Sequence, residues 1–141
     1  MAHEFGPPAP IFRVSSVRAG LVYYVDRLGF SVDWDETGIV SVSRDRCNIF
    51  LCEWDQGQPA SWAWIGVRDV EALHRELASR GARIRQPPTN FPWALEMQVE
   101  DFDGNVLRLG SEPKSDEPYG QFLDAEGVLW DTAPAASQVA S

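Results

Sequence analysis

Histidine and cysteine are scarce in this chain, two of each among 141 residues, and that scarcity leaves little material for a His/Cys metal site. His3 lies near the N-terminus and His74 far from it, while Cys47 and Cys52 fall in what reads as a single strand. At strand spacing the two cysteines stand roughly 16 Å apart on opposite faces, too far to bridge. Long apolar runs are also missing: none approaches the roughly 18 residues that a membrane helix needs. The opening "MAHEFGPPAP" lacks the basic start and apolar run of a secretory signal, so a cytoplasmic location is the expectation. Positive charge is in short supply too, with 12 Lys and Arg against 21 Asp and Glu and a net charge of −9. Phosphate binding needs a basic face, which argues against nucleic acid as a partner. Six acids (Glu112, Asp116, Glu117, Asp124, Glu126, Asp131) and one base, Lys114, put −5 of that charge beyond Gly110. Much of the acidity therefore belongs to a tail, where it serves solubility or steers cationic ligands.

What the chain does have is a hydrophobic fraction of 44%, enough for one ordinary domain with its own core, and a pattern written twice. Ser16 is placed to cap a helix whose apolar positions are Val17, Leu21, Tyr24 and Leu28, with Gly29 as its stop. Asp69 is placed to cap a second, with Val70, Leu73 and Leu77 as its stripe and Gly81 as its stop. The caps are 53 residues apart and the glycines 52. A strand precedes each helix (Ile11–Val14; Trp62–Val67) and three follow it. These are Phe30–Trp34, Ile39–Ser43 and Asn48–Glu53 in the first half, then Arg83–Gln86, Leu95–Glu100 and Val106–Leu109 in the second. The fold class that follows is α+β, two βαβββ modules (about 9–54 and 61–110) whose curved sheets make a cleft. Two copies are too few for a solenoid. "QGQPAS", Gln56–Ser61, is the linker, and 111–141 is an acidic tail outside the 1–110 domain. In that tail Gly120–Trp130 has the makings of a short hairpin, and "TAPAASQVAS" reads as disordered.

The stretches "YYVDRLGF", "SWAWIGVRDVEAL" and "FDGNVLRL" resemble the glyoxalase, bleomycin-resistance and extradiol-dioxygenase superfamily, the vicinal oxygen chelate proteins. The resemblance spans roughly residues 9–110, and "LGFSVDW", "AWIGVR" and "FPWALEMQVEDFDGN" are most similar to its bleomycin-resistance branch. It implies a homodimer with two ligand crevices at the subunit interface, and sequestration of the drug without chemistry.

Metal-dependent members of the superfamily set His and Glu on inward-facing strand positions. Counted from the shared landmarks, the resemblance places those four positions at Ala9, Trp62, about Phe50, and Arg108, none of them a ligand. A cation at Arg108 would repel an ion by about 4 kcal/mol at 4 Å and an effective dielectric of 20. Arg108 reads either as a ligand contact or as a solvated or salt-bridged strand residue. "DFDGN", Asp101–Asn105, imitates the start of a calcium loop, but Val106 stands where such a loop needs Gly, so it reads as a turn. No metal and no cofactor are expected.

Strand alternation puts Trp62, Trp64 and Gly66 on one face of the fifth strand. The resemblance implies drug contact at Asp33 and Trp34 and at Trp93 in "FPWALE", with Cys52 where a small polar residue is expected. Tryptophan suits stacking on flat heteroaromatics and attracts cations, worth about 0.5–2 kcal/mol; each one taken singly is more often a core residue. Asp33, Asp35 and Glu36 are candidates for the complementary charge, while no nucleophile and base are paired anywhere in the sequence. Expected, then, is a binding protein for a bulky, partly cationic antibiotic of the bleomycin type or another cationic aromatic compound. The alternatives are a metal-dependent glyoxalase-like lyase or isomerase, or a dioxygenase, with ligands at other positions, and a regulatory module whose acidic tail docks a partner.

Overall fold

The computed structural model describes residues 3–123 and 129–131. They form two units, one of residues 3–61 with Phe102–Asn105, the other of Trp62–Asp101 with the described residues from Val106 onward.

In the first unit β1 (Ile11–Arg13) leads into α1 (Val17–Val22), capped by Ser16, whose backbone is extended and whose hydroxyl oxygen accepts the Ala19 N–H at 3.1 Å. An unbroken helix to Leu28 was expected; the chain instead widens into a π-helical segment over Tyr23–Arg27. The Leu28 N–H reaches back five residues to the Tyr23 carbonyl, at 3.2 Å. Tyr23 and Tyr24, at the start of this segment, are both buried in the core. Gly29, at φ 74°, ends the segment. Strands β2 (Ser31–Glu36), β3 (Ile39–Arg44) and β4 (Cys47–Cys52) follow and build a sheet in the order β1-β4-β3-β2, with β1 parallel to β4 and the other pairs antiparallel. Val40, Val42, Ile49 and Leu51 are buried on one face, and α1 packs on β3 and β4. Ser41, Ser43, Asn48 and Phe50 alternate onto the other face.

The second unit repeats this topology. After β5 (Trp62–Gly66), Asp69 caps α2 (Val70–Ser79) by accepting the Ala72 N–H at 3.0 Å, and Gly81, at φ 79°, follows its end. Strands β6 (Arg83–Asn90), β7 (Leu95–Glu100) and β8 (Val106–Ser111) complete a sheet in the order β5-β8-β7-β6. β6 runs past the expected end at Gln86 through Pro87 and Pro88, which an edge strand tolerates because its outer N–H groups need no partner. Beyond β8, Asn90 clasps the chain: its amide donates to the carbonyls of Lys114 and Glu117 and accepts the Lys114 N–H. Lys114 adds an ion pair to Glu71 on α2 at 2.7 Å. β9 (Gln121–Leu123) and β10 (Leu129–Asp131) pair antiparallel within the stretch read as a hairpin; the segment read as disordered lies outside the described residues.

The pairing registers align the two modules. Ile11, Phe50, Ser41 and Trp34 form one row across the first sheet, and Trp64, Arg108, Gln98 and Gln86 form the corresponding row across the second. Each outer strand carries a bulge just before this row, at Asp33 in β2 and Arg85 in β6.

The turn that imitates a calcium loop is a structural clasp. Asp103 accepts the Ser15 N–H at 2.9 Å, while the fully buried Asn105 accepts from Ser61 N–H and donates to the Arg13 carbonyl, each at 3.0 Å. Asn105→Ala should therefore lower unfolding free energy by about 1–3 kcal/mol, since it removes the partner of two part-buried backbone groups. Urea denaturation followed by circular dichroism would read this as a lower midpoint at unchanged slope.

Candidate functional site

The second unit is organised around Glu96. Strand alternation on β7 sends Met97 and Val99 toward α2, and Glu96 and Gln98 to the opposite face. The Glu96 side chain is completely buried, yet four N–H contacts reach its carboxylate. Arg108, on β8, donates Nε to Oε2 at 2.8 Å and Nη2 to Oε1 at 3.1 Å, a two-pronged ion pair. The indole Nε1 groups of Trp93 and Trp64 both donate to Oε1, at 3.0 and 3.3 Å.

Each indole is also held by its ring. In "FPWALE" the Phe91 N–H donates to the Ala94 carbonyl at 2.9 Å, closing a tight turn between β6 and β7. Phe91 is buried and stacks on Trp93 with planes 5° apart and centroids at 4.8 Å. Trp64 lies over two glycines: a Cβ on Gly110 would meet its Cζ2 at 3.0 Å, and one on Gly66 its Cζ3 at 3.4 Å. Between the two indoles is an open depression of about 390 Å³, also lined by Gly66, Arg68, Gly110 and Glu112. Trp62 lies under Arg85, whose guanidinium carbon is 4.8 Å from its ring centroid.

In the first unit the bulge places Asp33 beside Trp34 opposite Ser41. The Asp33 carboxylate accepts from the hydroxyls of Ser41 (2.9 Å) and Ser43 (2.5 Å) and from the Asn48 amide (3.1 Å), all neutral donors. Trp34 packs on Phe50 at 5.3 Å. Asp35 is engaged by Arg18 at 2.5 Å. Cys52 is fully buried, its sulfur accepting the Trp54 N–H at 3.3 Å.

The sequence thus named Trp64, Trp93 and Arg108, which the structure brings together, and Asp33 and Trp34, which it joins in the first unit. Trp34, Trp62, Trp64 and Trp93 are between 40% and 54% exposed, so none of the four is fully packed into the core of this chain. Glu96 was missed as the organiser, because one carboxylate among several on strands carries no local mark. Its signal was the register that sets Glu96 beside the row containing Arg108.

The positions that hold a metal in metal-dependent relatives do not suit one here. Phe50 and Arg108 occupy equivalent register positions, Ala9 and Trp62 supply no donor, and both oxygens of Glu96 are taken. No group of three or more His, Cys, Asp or Glu among the described residues is placed to hold an ion. His74 is half-buried on α2, and burial followed by the neighbouring Arg75 lowers its pKa; burial pushes the Cys47 thiol up.

A sequence profile described as glyoxalase superfamily protein matches residues 3–127. The chain belongs to the glyoxalase superfamily. Among solved structures, the bleomycin-binding protein of Streptomyces verticillus, complexed with copper(II)-bleomycin, superposes with a TM-score of 0.66 at 25% identity, over 79% of this chain and 98% of that one. TnmS3, an antibiotic binding protein from Streptomyces sp. CB03234, gives 0.65 at 24% identity over 79% and 100%. A glyoxalase/bleomycin resistance protein/dioxygenase from Nocardioides gives 0.62 at 13% identity over 83% and 91%, a likeness of fold. No curated protein matches. No helix among the described residues is long and apolar enough to cross a membrane.

Glu96→Gln should break the ion pair and loosen both indoles, costing about 3 kcal/mol or somewhat less because Arg108 stays partly exposed. In ¹H–¹⁵N spectra two of the six tryptophan indole N–H signals should move upfield as their charged acceptor is lost.

Proposed function

We propose that this glyoxalase-superfamily chain is a binding protein that sequesters a bulky, partly cationic antibiotic of the bleomycin type, acting as a homodimer in the cytoplasm. The observation that carries the reading is the pair of half-exposed indoles pinned to Glu96 around an open depression. Rings already fixed by stacking and hydrogen bonds lose little freedom when a flat ligand slides between them. Trp62, Trp64, Trp93 and Arg108 in the second unit, with Asp33 and Trp34 in the first, are the proposed contacts. Glu112 at the depression supplies negative charge for a cationic tail, and in the first unit Asp33, hydrogen-bonded to the neutral Ser41, Ser43 and Asn48, is a further carboxylate on the ligand face. The bleomycin-binding relative supports the reading, and the copper there arrives with the drug.

The superfamily also contains enzymes, and stoichiometric metal in the purified protein would favour that alternative. Titration with metal-free bleomycin should quench tryptophan fluorescence saturably at one ligand per chain. Trp64→Ala and Trp93→Ala should each weaken binding by at least ~1 kcal/mol, about fivefold. An unresponsive parent would remove bleomycin as the ligand; two folded variants binding like the parent would move the site elsewhere.

A further inference from the structure

Gln86 and Gln98 face each other across β6 and β7, in the row that continues through Arg108 to Trp64. They are 6% and 1% exposed, and the Nε2 of each is buried with no hydrogen-bond partner among the described residues. The orientation of the Gln98 amide is set by Arg85, whose Nη1 donates to Oε1, so the nitrogen is the end left over. Two adjacent buried donors without acceptors are uncommon in folded proteins, because each bears its full desolvation penalty. Their surroundings are cationic: Arg108 stands next in the row, and Arg85 reaches from one edge strand to Trp62 on the other. Arg85 and Trp62 are both exposed, so the bridge they form over this face is a light one that long side chains make and break easily.

We propose that this row is a subsite for a ligand's carbonyl-type oxygen, carried by a carboxamide or a carboxylate, which the Gln86 and Gln98 N–H groups receive when the Trp62 ring swings off Arg85 and the guanidinium keeps its bond to Gln98. The inference rests on the aromatic-binding reading and adds an orientation to it. The ring lies against Trp64 and Trp93, the oxygen-bearing end points across β8 toward β6, and any cationic end lies toward Glu112. An ammonium group does not suit this row, where unanswered amide donors and guanidinium charge would meet it.

Three small probes with one ring system test this: 2-naphthamide, 2-naphthoate and 2-methylnaphthalene, measured by calorimetry and by ¹H–¹⁵N spectra of the side-chain amides. The two oxygen-bearing probes should bind about tenfold tighter than 2-methylnaphthalene, as two new hydrogen bonds would give. They should also shift the Gln86 and Gln98 NH₂ signals downfield. Naphthoate well ahead of naphthamide identifies an anionic oxygen; equal affinities identify a neutral carbonyl. Gln86→Leu should abolish most of the tenfold preference while its denaturation midpoint stays at or above the parent's, because an unanswered donor has been removed. Gln98→Leu should act likewise on binding, and the parent's amide spectra keep the test valid if that variant does not fold. Equal binding of all three probes overturns the subsite and leaves the aromatic face standing. Binding of none overturns both.

Discussion

Glu96 carries a carboxylate to a place without water, and such a group persists only when its oxygens are answered by good donors. Here the donors are the fork of Arg108 and the indoles of Trp93 and Trp64, so one buried charge fixes three large side chains at once. The ion pair itself contributes little net stability once desolvation is counted; its effect is geometric, because both indole edges must turn toward the same oxygen. Phe91 behind one ring and the two glycines beneath the other then leave a single arrangement. The broad faces stay available to solvent only because the edges are committed.

The two modules show how one topology is used for different chemistry. Equivalent bulges present Asp33 in one and Arg85 in the other, and equivalent row positions hold Ser41 and Gln98, Phe50 and Arg108. The helix-facing residues of both sheets remain apolar, so charge on the opposite face is changed without disturbing the core. On that face of the second module the charge is paired within the protein, Glu96 with Arg108.

The repeat was legible in the sequence because caps, stripes and stops are local features, each set by a few residues: Ser16 and Gly29, Asp69 and Gly81. The π-helical segment was not, since the apolar stripe through Val17, Tyr24 and Leu28 is equally compatible with an unbroken α-helix. The length of β6 was hidden by Pro87 and Pro88, whose tolerance follows from an edge position that only strand order reveals. Trp64, Trp93 and Arg108 were found by face alternation and resemblance. What joins them was not, because a carboxylate acquires its meaning from neighbours several strands away in sequence.

Asn105 binds the Arg13 carbonyl across 92 residues of chain, and with it Phe102–Asn105 belongs to the first unit although it is encoded between β7 and β8. During synthesis, domains generally fold from the N-terminus as they emerge. This first unit is an exception by construction: its sheet and helix can assemble early, but its last clasp arrives only after β7 has been made. Such long-range closure raises contact order and slows folding. It also makes completion of the first half contingent on the second, so a chain interrupted before the turn would leave Arg13 and Ser61 without their partner.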